Sequence, residues 1–172
     1  MDLPPNARTL DRLVQERGLV RGAELGVRRG ELTASLLERH PGLSMIAVDL
    51  WAPHPTFTER YDHEGDLRRF RENVRDFEAR VTVLRLLTTE AARHVADGSL
   101  DFVFVEATHT YAALASDLDA WLPKLRPGGL VSGHDYHPHW DDGGVMRCVD
   151  ERLPTRWLAD DSCWFAWTQG AP

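Results

Sequence analysis

Residues Ala23-Glu24-Leu25-Gly26-Val27-Arg28-Arg29-Gly30-Glu31 close a short apolar run and open a helical pattern, and a second apolar run downstream ends at Asp49. The order strand, glycine turn, helix, strand and acid is how an α/β fold brings backbone close to a nucleoside and holds its ribose hydroxyls with a carboxylate. The glycine spacing indicates which nucleoside. Dinucleotide folds use Gly-x-Gly-x-x-Gly, so that a pyrophosphate can sit on a helix N-terminus. Here the spacing is Gly26-x-x-x-Gly30, with Glu24 ahead of it. A carboxylate aimed into the turn repels a pyrophosphate and suits a cationic ligand. Taken alone, the segment also reads as a plain strand-turn-helix whose glycines serve close packing.

Outward from this segment, apolar runs alternate with amphipathic stretches. Strands are expected at 22–27, 44–50, 81–86, 101–106 and 130–133, and helices at 6–17, 30–39, 65–79, 88–95, 111–125 and 145–153. His40-Pro41-Gly42 and Pro127-Gly128-Gly129 read as helix stops. Residues 51–64, polar and aromatic with two prolines, read as a loop or lid. Two short strands near 156–159 and 163–168, joined at Asp160-Asp161-Ser162, suggest a terminal hairpin with an antiparallel strand. The expected fold is α/β, Rossmann-like and doubly wound, with a mostly parallel sheet covered on both faces.

The length of 172 residues suits one domain over 1–172. A net charge of -7 argues against a phosphate-backbone partner. Arg68, Arg69, Arg71 and Arg75 alternate with Phe70 and Phe77 at helical spacing and read as a solvated helix face. Cys148 and Cys163 form neither a zinc nor a disulfide pattern, so a reducing cytoplasm is expected. No segment reads as a signal peptide or membrane span, and no membrane partner is expected.

Ligands of open parallel sheets bind beyond the carboxyl ends of the strands. Those ends carry Glu24 to Gly30, then Asp49, Leu50 and Trp51, then Leu87 and Thr88, then Glu106, Thr108 and His109, and finally Gly133, His134 and Asp135. Trp51 reads equally well as an adenine wall and as a core or lid aromatic.

The segment from Glu24 to Gly30 resembles motif I of the class I S-adenosylmethionine (SAM) dependent methyltransferases, and the resemblance extends over nearly the whole chain. It implies a seven-stranded sheet with SAM as cofactor. Glu24 would lie near the amino-acid end of SAM, Gly26 and Gly30 would let the chain pass close to it, and Asp49 would bind the ribose hydroxyls. Leu50, Trp51, Thr88 and Glu106 complete the expected cofactor set. Three further blocks resemble a small-molecule branch of these enzymes. Glu106-Ala-Thr108-His109-Thr-Tyr111 stands where that branch has Asp-Ala-Asp-His-Ser-Tyr. Pro127 to Tyr136 contains its Gly-His-Asp-Tyr, and Gly144-Val-Met-Arg-Cys-Val-Asp-Glu151 is similar to its Gly-Val-Lys-Arg-Ala-Val-Asp-Glu. The implied activity is methyl transfer to a small-molecule acceptor, at a hydroxyl oxygen.

Two departures bear on mechanism. Glu106 replaces the first acid of the block with a longer one. Thr108 replaces the second acid, a candidate base in metal-dependent relatives, and a threonine cannot serve as a base near neutral pH. His109, whose ordinary pKa lies near neutrality, becomes the candidate base alongside Glu106, against the alternative that it caps the following helix. Glu106, His134 and Asp135 are candidate ligands for one divalent ion, Mg²⁺ by oxygen preference or Mn²⁺ if histidine joins. The alternative for them is a polar, solvated rim. His54, Tyr61 and His63 are candidate acceptor contacts. Three other functions stay open on sequence: a small-molecule N-methyltransferase, a SAM-binding protein without turnover, and a nicotinamide-dependent oxidoreductase. Only residues 1–17, 51–64 and 134–144 remain to build an acceptor site, so either the acceptor is small or a second subunit completes the site, and a homodimer is expected without a sequence pattern that marks its interface.

Overall fold

The computed structural model describes residues 4–55, 62–139, 141–159 and 162–169. Its elements run α1 (Arg8–Arg17), β1 (Arg21–Leu25), α2 (Glu31–Arg39), β2 (Ser44–Val48), α3 (His63–Val74), β3 (Val81–Leu84), α4 (Thr88–Ala91), β4 (Leu100–Val105), α5 (Tyr111–Trp121), β5 (Leu125–Gly133), α6 (Gly144–Arg152), β6 (Trp157–Leu158) and β7 (Trp164–Trp167). The sheet has seven strands in the order β3-β2-β1-β4-β5-β7-β6. β1 to β5 pair in parallel, while β7 runs antiparallel to both β5 and β6. The strand order reverses between β1 and β4, the switch point at which open parallel sheets form their ligand crevice beyond the carboxyl ends of the strands.

The two-residue period of the strands sorts side chains onto two faces. Ala23, Leu25, Val103, Val105 and Val131 form one core with Leu114, Leu118 and Trp121 of α5 and Val145, Cys148 and Val149 of α6. Phe102, Phe104, Leu130, Phe165 and Met45 form the other with Leu10, Leu13 and Val14 of α1 and Leu32, Leu36 and Leu37 of α2. A third cluster joins Val27, Ala34, Ala47 and Trp51 to Phe70 and Val74 of α3. Both sheet faces are thus covered, as the apolar strands required. Arg68, Arg69, Arg71 and Arg75 are exposed, so the basic stretch is the solvated side of α3.

Several element boundaries differ from expectation by a few residues, most of all at β5. β5 begins at Leu125, and Pro127-Gly128-Gly129 lies inside it rather than stopping a helix ahead of it. The pairing explains this. Leu100 faces Leu125 but Phe102 faces Leu130, so the Pro-Gly-Gly stretch is an irregularity in the ladder, where a proline need not donate. The helical turn at α4 extends only through a short 3₁₀ segment to His94. In the expected 51–64 loop, α3 already begins at His63, capped by Asp62, whose Oδ1 accepts the N–H of Gly65 at 3.0 Å. Residues 56–61 of that lid, including Tyr61, lie outside the described residues, as do Asp160 and Asp161 of the hairpin turn. No helix of the described residues is long and apolar enough to cross a membrane.

Candidate active site

The glycine turn is shaped by its neighbours. Gly26 has φ +86°, and a Cβ there would lie 2.3 Å from the Glu106 carbonyl oxygen, so only glycine lets β1 and the end of β4 come this close. Gly30, with φ +75°, is the N-cap of α2 and cannot cap it with a side chain. Glu24 supplies the cap instead: its carboxyl accepts from both the hydroxyl and the backbone N–H of Thr33. Glu24 is only 4 % exposed. Burial pushes its pKa up to about 8, opposed by the Thr33 hydrogen bonds and reinforced by the charge of Glu106. A neutral carboxyl therefore dominates at pH 7 until a cation is brought beside it.

Asp49 follows β2. Its Oδ2 accepts the N–H of Arg28 and its Oδ1 that of Trp51, each at 2.8 Å, so the acid ties the glycine turn to the strand end. Burial raises its pKa, and the two N–H groups partly offset this. Leu50 is half-buried, and Arg85 holds the carbonyls of Leu50 and Trp51 at 3.2 and 3.0 Å. Trp51 is 3 % exposed, its indole N–H donates to the Arg28 carbonyl at 2.7 Å, and its ring tilts on Phe70 at 4.9 Å. This is the packing of a core aromatic, not of an open stacking platform. The hydroxyl of Thr88 is donated to Asp117 of α5, and the Thr88 carbonyl accepts the Trp121 indole N–H at 3.0 Å. The Thr88 side chain is thus committed to packing between α4 and α5.

Across the crevice, the ends of β4 and β5 form one polar cluster. Glu106 is held by its N–H to the Leu25 carbonyl at 2.8 Å, and its Oε1 lies 3.1 Å from His134 Nδ1. Its Oε2 is buried and has no hydrogen-bond partner among the described residues. Asp135, with φ +61°, gathers three imidazoles. His109 Nε2 lies 2.9 Å from its Oδ2, while His137 Nε2 at 3.1 Å and His134 Nδ1 at 3.4 Å approach its Oδ1. Burial opposes ionisation of Asp135, but the hydrogen bonds of His109 and His134 hold its pKa far below the usual carboxylate range. Hydrogen bonds to Asp135 and then to Glu106 push His134 up to about 10. The N-cap of α5 is Thr110, whose hydroxyl accepts the Ala113 N–H at 3.2 Å, so the side-chain cap comes from Thr110 while the His109 ring reaches Asp135. Thr108 lines the same cavity, a space of about 10 Å³ shared with Glu106, His109, His134 and Asp135. That is room for about one water or ion.

The sequence-predicted residues therefore fall into two groups on either side of the β1/β4 switch point: Glu24, Gly26, Gly30 and Asp49 on one side, and Glu106, His109, His134 and Asp135 on the other. Gly26, against Glu106, joins them. Three buried acids were not anticipated, of which Asp11 of α1 pairs with Arg39 and His40. Asp117 is described above, and Asp66 of α3 grips Arg28 and Arg29.

The profile of a methyltransferase domain matches residues 23–136, a span that runs from β1 through Tyr136 and takes in both groups. The chain belongs to this methyltransferase domain family. The fold likeness agrees. The O-methyltransferase TomG of Streptomyces achromogenes, involved in tomaymycin synthesis and solved with SAM, superposes with a TM-score of 0.73 at 16 % identity, over 99 % of this chain and 82 % of its own. The 1,6-didemethyltoxoflavin-N1-methyltransferase of Burkholderia thailandensis, solved with its substrate and S-adenosylhomocysteine, gives 0.62 at 15 % identity, over 96 % and 79 %. Spermidine synthase of Thermotoga maritima gives 0.60 at 14 % identity, over 88 % and 54 %. At these identities the superpositions show a shared fold alone. An uncharacterized protein of Sinorhizobium fredii, y4gI, is 38 % identical over 53 residues, and this chain spans 31 % of itself and 6 % of that relative in the match.

Proposed function

We propose that this methyltransferase domain transfers the methyl group of SAM to a hydroxyl oxygen of a small molecule, with His109 as the base. The observation that carries the reading is the Asp135–His109 pair, 2.9 Å apart, set across a glycine contact from the cofactor loop. Bound SAM supplies a methyl group already activated on a sulfonium. The chain's own task is to position and to move a proton. Gly26 and Gly30 let the backbone approach the cofactor, and Asp49, pre-set by two N–H groups, presents a carboxylate to the ribose. Asp135 holds the His109 ring through its Nε2, so that His109 can accept the acceptor's hydroxyl proton as the oxygen attacks. Rate then comes chiefly from in-line placement.

The β4/β5 cluster also fits a divalent ion. One ligand atom each from Glu106, His134 and Asp135 lies within 4.8 Å of the others, and the orphaned Oε2 of Glu106 is buried beside them. A metal there would be held by Glu106, His134 and Asp135 and would lower the pKa of the acceptor hydroxyl, and its mixed N/O donors suit Mn²⁺ better than Mg²⁺. The test is transfer of isotopically labelled methyl from SAM to a panel of phenols, sugars and amines, with and without EDTA. Labelling of hydroxyl acceptors supports the reading, and labelling of amines alone replaces it with N-methylation. Absence of transfer in a protein that binds SAM leaves a binding protein without turnover.

A further inference from the structure

The helix α3 grips the glycine turn along a single stripe. Asp66, Phe70 and Asn73 stand at i, i+4 and i+7, the spacing of one helix face. Asp66 accepts from the Nε of Arg29 at 2.6 Å and from the Nε of Arg28 at 3.1 Å. Phe70 lies where a Cβ on Gly30 would meet its ring at 2.7 Å. The side-chain amide of Asn73 donates to the Arg29 carbonyl at 2.9 Å. Three consecutive turn residues thus meet three side chains of α3: Asp66 holds Arg28 and Arg29, Asn73 holds Arg29, and Phe70 packs against Gly30.

Asp66 is 3 % exposed, whereas the arginine side chains it holds are about half exposed. Surface ion pairs contribute little, but a buried carboxylate held by two guanidinium groups stays ionised and is costly to leave unpaired. Burial opposes its ionisation, and the hydrogen bonds of Arg29 and Arg28 win, holding its pKa below the ordinary value. Asp66 is therefore a fixed anchor for the turn.

What the anchor fixes is Arg28. This residue sits in the left-handed region, at φ +49°, which a non-glycine residue adopts only against steric strain. In that conformation its N–H reaches Asp49 Oδ2, and its carbonyl takes the Trp51 indole N–H. We infer that Asp66 is a positioning residue for cofactor binding: by holding Arg28 and Arg29 it keeps the Arg28 N–H on Asp49, and so aims the Asp49 carboxylate at the ribose. This inference rests on the cofactor reading above.

The test is a double-mutant cycle between Asp66→Asn and Asp49→Asn, read as the dissociation constant of S-adenosylhomocysteine by calorimetry, with the thermal midpoint of each variant recorded. Asp66→Asn in the native background should weaken binding on the order of tenfold, as losing a partner that orients a binding group does elsewhere. In the Asp49→Asn background the same change should cost little, because the group it acts through is already gone. A merely structural contribution of Asp66 would give multiplicative losses instead. Asn73→Ala, a milder change on a half-buried side chain, should weaken binding several-fold with the same non-additivity, and it keeps the test open if Asp66→Asn does not fold. Native-like binding by Asp66→Asn, or losses that multiply with Asp49→Asn, would overturn the inference while leaving the cofactor site intact. Failure of the unsubstituted protein to bind S-adenosylhomocysteine would overturn the cofactor reading and the inference with it.

Discussion

Glu24 should release a proton when the cofactor binds. Burial pushes its carboxyl up to about 8, and the group caps α2 through Thr33. Relative to an ordinary value of 4.5, that corresponds to roughly 5 kcal/mol of disfavoured ionisation, at about 1.4 kcal/mol per pH unit. At pH 7 the group is then about nine-tenths protonated. A cationic ligand end placed near it restores the charged form, so binding at pH 7 should expel about 0.9 proton, and none from Glu24→Gln. The association constant of the native protein relative to Glu24→Gln should rise about tenfold between pH 7 and pH 9 as the free carboxyl ionises. Taking the ratio removes the titration of the ligand's own amino group, which falls in the same window. The assay is calorimetric titration with S-adenosylhomocysteine at pH 7 in phosphate and in Tris, whose heats of ionisation differ. The native protein should show a buffer-dependent enthalpy that Glu24→Gln lacks. Equal enthalpies in both buffers for the native protein would refute the reasoning, because Glu24 would then keep its proton beside the bound ligand.

Other outcomes follow from the same geometry. Asp117 is 3 % exposed, and burial pushes it up to about 6 against its hydrogen bond from Thr88. Its neutral form is favoured in the fold, so its own contribution to stability is greatest below about pH 4 and falls as pH rises to about 6, by up to about 3 kcal/mol. Asp117→Asn should recover most of that at pH 7 and almost none at pH 3.5 in urea unfolding. Gly26→Ala forces a Cβ to 2.3 Å from the Glu106 carbonyl at φ +86° and should cost at least about 2 kcal/mol, together with cofactor affinity, by denaturation and calorimetry. His109→Gln should lower turnover by about 10²–10⁴-fold with cofactor affinity within a factor of about two, and the acid limb of the pH–rate profile should go with it.

Much of the fold was legible because it rests on local signals. The β1 turn, the Asp49 position and the alternation of strands and helices depend on glycine placement and on apolar period, both of which are written in neighbouring residues. The antiparallel strand was also readable from two short runs near the C-terminus. Pro127-Gly128-Gly129 misled because such a triplet usually ends an element, whereas here it is absorbed as an irregularity between Leu100 and Phe102 on the partner strand. The site divides the same way. Residues at strand ends could be collected from the pattern, but their partners could not. Trp51 follows closely on Asp49 in sequence, yet Phe70, 19 positions on, draws its ring into the core. Asp66 and Asp117 are single acids on helices that read as ordinary solvated positions. Only the docking of α3 against the glycine turn, and of α5 against α4, buries them. His109 could be named from its block, while its bond to Asp135 depends on β4 and β5 being neighbours in register.

The most direct test of the central claim is a crystal structure of the protein with S-adenosylhomocysteine. The account predicts the ligand in the crevice between β1 and β4, its ribose hydroxyls on Asp49, its amino-acid end at the Gly26–Gly30 turn and its sulfur facing His109. A ligand bound elsewhere, or a ribose that makes no contact with Asp49, would contradict it.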